Sequence, residues 1–399
     1  MKVAVFADAF PKLSETFVLS QVLHFANLGH DVTVVCRAAD TTQAIDRAGL
    51  SHVRILEWPA ARWHARTSLP WRLRNGLARL ANRRFLKSLR NQDIFLAHFG
   101  WQGAGLVGLA GGKPAAPLVT IYHGRDVSHE YQSNGLTRYA ALFRAGTLHL
   151  TVNRPFAELL EGAGAPAERV AVHHLGVPVA DYRFQPADWS APVRMISLCR
   201  LVEKKGVEVA LEAAAELLAQ RPELDWHYEI AGSGPLEEHL RTRAAELGLG
   251  ERVSFVGALE HAEALRRIGA AHVLLAPSVT GEDGDQEGIP VTLMEAMALG
   301  TIVCSTRHSG IPELIHHGAS GLLADEHDVA GLRDNLLKLL DGTCDRDAMA
   351  SAARAKVATD FDQQTRNAAL LARFEEIRAP RAARSPAKVL PRRPAERRS

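Results

Sequence analysis

Short β-branched, apolar runs that each give way to a loop and then to a helical pattern recur along this chain. That alternation restricts it to an α/β fold built on parallel strands. Lys2 to Phe6 reads as a buried strand, Glu15 to Leu28 as a helix with Ser14 placed to cap it, and His30 to Cys36 as a second strand. Strand, helix, strand at this spacing is a βαβ unit. Its first turn lacks Gly-x-Gly-x-x-Gly, which argues against a dinucleotide-dependent dehydrogenase. The clearest unit lies late in the chain. Val273 to Ala276 is a strand, a polar acidic loop follows, and Pro290 opens a run of helix formers that ends at Gly300. In an open α/β sheet, ligands sit where strands hand over to helices, and a helix start offers free amides and a positive dipole end to an anion. Glu287 stands in that loop beside Gly288, and Glu295 lies inside the helix. A carboxylate at such a place can accept from sugar or ribose hydroxyls, while neighbouring amides face phosphate oxygens. Taken as two carboxylates alone, they are more simply a solvated loop residue and an exposed helix residue.

With 399 residues the chain has room for two domains, each with its own core. The proline-bearing, polar stretch from Ala180 to Pro192 marks the boundary, giving domains at 1–185 and 190–360, a helix at 361–377 that crosses back, and a basic tail at 378–399. That tail has little to bury and is expected to be disordered. Cys36, Cys199, Cys304 and Cys344 are far apart and form no Cys-x-x-Cys pair, as in a reducing compartment. The N-terminus has no long apolar core, and no apolar run spans a bilayer, so the expected location is cytoplasmic. A net charge of +2 conceals two basic segments, 62–90 with nine Arg or Lys and no acid, and the tail with eight against Glu396 alone. Outside them, 44 acidic residues face 30 basic ones. Positive charge is therefore local. Leu69, Leu73, Leu77, Leu80, Phe85 and Leu89 fall near one face of a helix whose other face is basic, with Trp63 and Trp71 at its start. Such a helix rests on an anionic membrane surface or packs on a core with a basic solvent face.

Several residues gather at the expected strand ends. His98 and His123 each close a strand, where histidine is more often structural than catalytic. Arg200 leaves the strand Val193 to Cys199, and Lys205 reaches the next helix start, so a guanidinium fork and an ammonium point charge can meet one anion. Gly232-Ser233-Gly234-Pro235 closes another strand in a tight turn. Asp283-Gly284-Asp285 reads as a hydrated acidic turn, and the tandem histidines His173-His174 and His316-His317 lack the company of a metal site.

Glu-Gly-Ile-Pro-Val-Thr-Leu-Met-Glu-Ala-Met-Ala from Glu287 to Ala298 closely resembles the glutamate, seven residues, glutamate motif of the family 4 retaining glycosyltransferases. Further motifs occur in the right order. Arg200 to Gly206 is similar to that family's Arg-x-x-x-x-Lys-Gly segment, His123-Gly124-Arg125-Asp126 to its N-domain histidine motif, and Phe10 to Phe17 to the start of its exopolysaccharide members. The resemblance covers roughly residues 1–377 and is nearest to enzymes of the colanic-acid type. It implies the GT-B fold, an α/β architecture of two Rossmann-like, doubly wound domains facing each other across a cleft. It also implies roles: Arg200, Lys205, Gly234, Gly288 and Ile289 around the donor diphosphate, Glu287 on the sugar, Glu295 on the ribose and His123 facing the sugar. Ser14, Thr16, His98 and Asp126 are the candidates on the acceptor and sugar side. The implied reaction moves a sugar from a nucleoside-diphosphate sugar to an acceptor hydroxyl with retention, the acceptor being a saccharide carried on a lipid. No metal, no cofactor and no nucleic-acid partner are expected. The alternatives are a non-hydrolysing nucleotide-sugar epimerase and a non-catalytic sugar- or membrane-binding scaffold.

Overall fold

The computed structural model describes residues 1–12, 15–39, 49–60, 70–189 and 192–379. Ser14, the opening of the basic segment at 61–69 and the tail from 380 lie outside the described residues. Two parallel sheets organise the chain. The first contains β1 Lys2–Phe6, β2 Asp31–Cys36, β3 Arg54–Glu57, β4 Ile94–His98, β5 Leu118–Tyr122, β6 Leu148–Thr151 and β7 Val170–Val172, in the order β3-β2-β1-β4-β5-β6-β7. The second contains β8 Val193–Leu198, β9 Trp226–Ala231, β10 Val253–Gly257, β11 Val273–Ala276, β12 Ile302–Thr306 and β13 Leu322–Ala324, in the order β10-β9-β8-β11-β12-β13. Each order reverses direction once, between β1 and β4 and between β8 and β11. These are the switch points where an open α/β sheet leaves a crevice for a ligand.

The central strands are buried on both faces, as covered parallel strands must be, and their sequences are accordingly almost wholly apolar. Arg54–Glu57 is an edge strand of mixed polarity paired only through β2, so it carries no alternating pattern to announce it. Helices pack on both faces: α1 Thr16–Asn27, α2 Trp71–Ser88, α3 Gly100–Ala110, α4 Arg154–Gly162, α5 Val207–Gln220, α6 Val291–Leu299, α7 Arg346–Asp360 and α8 Gln363–Arg378. The N-cap position of α1 is Glu15 rather than Ser14.

The leucines of α2 are not all turned inward. Ala78 and Leu86 point into the protein, whereas Trp71, Leu73 and Leu80 are exposed. The leucines therefore do not form one core-facing stripe. No helix among the described residues is long and apolar enough to cross a membrane.

Two strands of backbone connect the halves, and they bond to each other. Val177 N–H donates to Phe361 O at 3.0 Å and Gln363 N–H to Val177 O at 2.9 Å. Gly176 is required there, since a Cβ would lie 2.7 Å from Phe361 O. Asp362 then caps α8 by accepting from Thr365 N–H, and α8 returns to the first half, where Leu370 and Phe374 join its core.

Candidate active site

The loop that follows β8 presents cations. Glu203–Lys205 forms a single tight turn that ends at Gly206, whose φ of 62° lies in the left-handed region. A Cβ at Gly206 would overlap Pro277 O, so the backbone passes closely under the loop after β11. That approach brings two lysines to one carboxylate. Lys205 Nζ lies 3.0 Å from Glu287 Oε2, and Lys204 Nζ lies 3.1 Å from Glu287 Oε1 and 3.1 Å from Asp285 Oδ2. Burial alone would push the Glu287 carboxyl up, but the two ammonium groups outweigh it and bring it down to about 2. Glu287 is therefore ionised throughout the physiological range.

The same residue is pinned through its backbone. Glu287 N–H donates to His308 Nε2 at 2.9 Å, and His308 Nδ1 lies 2.7 Å from Glu326 Oε1, while Glu326 Oε2 accepts from Thr280 N–H at 2.7 Å. Because Nε2 accepts, the imidazole proton sits on Nδ1 and is donated to the carboxylate. Burial pushes the Glu326 carboxyl up, and the hydrogen bonds from His308 and Thr280 more than reverse that. One fully buried histidine thus ties the loop after β11 to the ends of β12 and β13.

Beyond Gly288, Pro290 opens the nine-residue α6 without a side-chain cap, and Pro290, Val291 and Thr292 at its start line the cleft. Glu295, 5% exposed, lies on the first turns of α6 with Tyr182 OH at 3.5 Å and His261 Nε2 at 3.8 Å. Burial raises its carboxyl, with His261 opposing.

The facing wall is uncharged. His123 follows β5 and stacks under Phe17 from α1, ring centroids 4.4 Å apart. Its Nε2 lies 3.1 Å from His98 Nδ1, and burial holds His98 at about 3 and His123 well below the usual histidine range. Both rings are neutral. Asp126 is fully buried behind them and accepts from Gly100 N–H at 2.8 Å, Gly124 N–H at 2.9 Å and His123 N–H at 3.0 Å. It fixes the shape of the wall from inside. Phe99, at a φ of 72°, makes the sharp turn into α3 that this arrangement demands.

Between the walls lies a cavity of about 600 Å3 that Thr16, His123, Arg200, Lys205, Glu287, Gly288, Ile289 and Glu295 all line. Of the residues singled out in the sequence, His98, Asp126 and Gly234 do not line it. Gly234 sits one step back, where a Cβ would lie 2.4 Å from Leu201 O, while its neighbours Gly232 and Ser233 reach the cavity. The Asp283-Gly284-Asp285 turn is not simply hydrated. Arg125 from the first half lies 3.3 Å from Asp283 Oδ2 and 3.5 Å from Asp285 Oδ2, and Gln286 N–H donates to Ser128 Oγ at 2.9 Å. Asn153 adds a second clasp. Its Oδ1 caps α4 by accepting from Phe156 N–H, and its Nδ2 donates to Gly288 O and Ser309 Oγ, each at 3.1 Å. Lys204, His308, Glu326 and Asn153 carry no motif of their own in the sequence, and Phe17 and Asp285 lie in stretches whose reading assigns neither residue to the site. Of these, His308 and Asn153 stand where a sequence signal exists, each two residues past the end of a buried strand.

Among the described residues no three His, Cys, Asp or Glu side chains are placed to hold a metal ion. The arrangement can neutralise an anion with Arg200, Lys205 and the α6 amides, and can take hydroxyl groups on Glu287 and Glu295.

Comparison with known proteins places this geometry. The family described as Glycosyl transferases group 1 matches residues 181–356, and Glycosyltransferase Family 4 matches residues 14–181. The putative colanic acid biosynthesis glycosyltransferase WcaL of Salmonella typhimurium is 37% identical over 94% of this chain and 100% of its own length. The amylovoran biosynthesis glycosyltransferase AmsK of Erwinia amylovora is 36% identical over 91% of this chain and 96% of its own. Among solved structures, Anabaena HepE in complex with UDP superposes with a TM-score of 0.76 at 18% identity, covering 94% of this chain and 100% of that one. The apo form of the lipopolysaccharide outer core galactosyltransferase WaaB gives 0.69 at 19% identity, with 94% and 100% covered. These likenesses establish the fold: two Rossmann-like domains in the GT-B arrangement.

Proposed function

The chain belongs to the family 4 glycosyltransferases, and from that premise we propose that it transfers a sugar from a nucleoside-diphosphate sugar to a saccharide acceptor during exopolysaccharide assembly. The observation that carries this reading is convergence. Arg200 and Lys205 come from one strand-to-helix crossing, Glu287 and Glu295 from a second, and all four meet in one cavity, with His123 on the opposite wall. As the glycosyl bond breaks, charge builds on the departing diphosphate, and Arg200, Lys205 and the α6 amides stand where they would stabilise it. Glu287 orients the sugar through its hydroxyls, Glu295 accepts from the ribose, and His123 closes the sugar from the other side. With two cations and a helix start on the diphosphate, the transfer needs no divalent ion, and it proceeds with retention at the anomeric carbon.

The relatives named for colanic acid and amylovoran biosynthesis support an exopolysaccharide acceptor, which in this reading is carried on a lipid. The exposed Trp71, Leu73 and Leu80 on the arginine-rich α2 support work at the cytoplasmic face of a membrane, with the helix lying on anionic headgroups.

Release of nucleoside diphosphate from a panel of UDP-, GDP- and ADP-sugars, with chelator present and membrane extract as acceptor source, tests the proposal. Turnover of one donor that is lost in Glu287→Ala is the expected result. Silence of the parent towards every donor would count against transfer, and turnover abolished by chelator would remove the metal-free part.

A further inference from the structure

Glu287 has two carboxylate oxygens and a different lysine on each, and only one of those lysines belongs to the family motif. Lys205, which does, lines the cavity and holds Oε2 at 3.0 Å. Lys204 does not line the cavity. It holds Oε1 at 3.1 Å, reaches Asp285 Oδ2 at 3.1 Å and points its ammonium at Gln286 O at 3.4 Å. Its side chain is 11% exposed.

A lysine is a single point charge, and an ammonium drawn towards a doubly charged donor diphosphate moves away from the carboxylate it also holds. When Lys205 turns to the diphosphate, it leaves Glu287. A buried carboxylate without its partner is costly and would take up a proton. Lys204 prevents that, because Asp285 anchors it away from the cavity and so keeps it from following Lys205 to the diphosphate. Asp285 is in turn held by Arg125 from across the cleft, at 3.5 Å, so the anchor is complete only while the two halves are together.

We infer that Lys204 is a positioning residue for the transfer: it stays on Glu287 Oε1 when Lys205 moves to the diphosphate, leaving Oε2 free to accept from a sugar hydroxyl. Asp285 and Arg125 keep Lys204 in that place when the cleft is closed. The inference rests on the proposed function, since it assigns Lys205 to the diphosphate.

The test compares Lys204→Met, Lys204→Arg, Asp285→Asn and Lys205→Met in the full chain, with three readouts. The first is turnover of the donor that the parent uses. The second is affinity for the free nucleoside diphosphate, taken as UDP, GDP or ADP, whichever the parent binds. The third is the titration of the Glu287 carboxyl in 13C-glutamate-labelled protein, assigned with Glu287→Gln. Lys204→Met should lower kcat about 100-fold while changing diphosphate affinity less than about threefold, whereas Lys205→Met should weaken that affinity about tenfold or more. Lys204→Arg should recover most of the lost kcat, and Asp285→Asn should fall between the parent and Lys204→Met. The groups that face Glu287 are Lys204 and Lys205 on the turn after β8, Asp285 on its own loop, His308 from the end of β12, and Cys199 after β8. With Lys204 replaced, its carboxyl should titrate clearly above the parent's value. Loss of diphosphate affinity in Lys204→Met equal to that in Lys205→Met would overturn the inference, as would unchanged kcat, no rescue by arginine, or an unmoved Glu287 titration. A parent that turns over no donor would sink the transferase reading instead, and the titration would still decide where Lys204 acts.

Discussion

The second half lines the cleft with ionised side chains, Lys204, Lys205, Asp285 and Glu287 within 3.1 Å of one another in a chain, whereas the first half offers neutral, stacked imidazoles. Each choice follows from what surrounds it. A cluster of paired charges survives burial because opposite charges compensate, so Glu287 stays ionised despite its position. Among the described residues of the first half no carboxylate pairs with His123, since Asp126 is already spent on three backbone amides, and burial then keeps the ring neutral. The means to meet an anion therefore lie on one wall, and a neutral, close-packed surface on the other.

Removing charge from the ionised wall should have the largest effect. Glu287→Gln should lower turnover by about 1000-fold or more and also lower the melting temperature, because the Lys204 and Lys205 ammonium groups lose their carboxylate, measured by nucleoside-diphosphate release and thermal unfolding. Activity near that of the parent would show that the charge is not used in catalysis. Next comes the seam between the walls. A Cβ at Gly288 would lie 2.6 Å from Val152 Cγ2 and 2.7 Å from His123 O, so Gly288→Ala should wedge the halves apart. We expect about 100-fold loss of turnover with both halves still folded, and small-angle scattering should show a more open particle. A closed, active variant would mean that the contact is slack.

Acid separates the walls again. Unfolded histidines bind a proton near pH 6.5, whereas folded His98 does so only at about 3 and His123 well below the usual value. As pH falls below 6.5 the unfolded state takes up protons that the folded state refuses, so the first half loses stability from there down towards pH 3. Glu287 behaves in the same direction over a lower window. Its contribution is whole above about 4.5 and disappears as pH falls to about 2. Hydrogen exchange resolved by region should show protection failing first in the first half, and a common onset in both halves would break the distinction. The smallest effect is expected at Asn153. Asn153→Ala removes the α4 cap and two bonds across the cleft, and should cost about 1 kcal/mol in chemical unfolding with a modest rise in donor KM.

Which charged residues of the second half meet in the cavity could be read from the chain because they lie in contiguous stretches. Arg200 and Lys205 span one strand-to-helix crossing, and Glu287 and Glu295 span another. The same reading treated the Asp283-Gly284-Asp285 turn as hydrated, because nothing local says that Arg125, 158 residues earlier, will meet it. His308 illustrates the limit more sharply. A histidine after a strand says nothing about whether its two nitrogens will bridge a loop amide and a glutamate. His98 and Asp126 stood in suggestive positions, yet they support the wall from behind and do not line the cavity. The basic helix was recognised as amphipathic, but which leucines face inward depended on where α2 meets its neighbours.

What the sequence determined by itself was the alternation of strands and helices, the two parallel sheets this implies, and the cations and carboxylates that stand at strand ends. Those are local properties, set by hydrophobic period, helix stops and side-chain charge within about 25 residues. The tertiary structure decided which strand ends share a crevice, which lysine holds which oxygen of Glu287, and which histidines are neutral. Each of those depends on groups far apart in the chain, because burial and charge pairing act through space and fall off over a few ångströms.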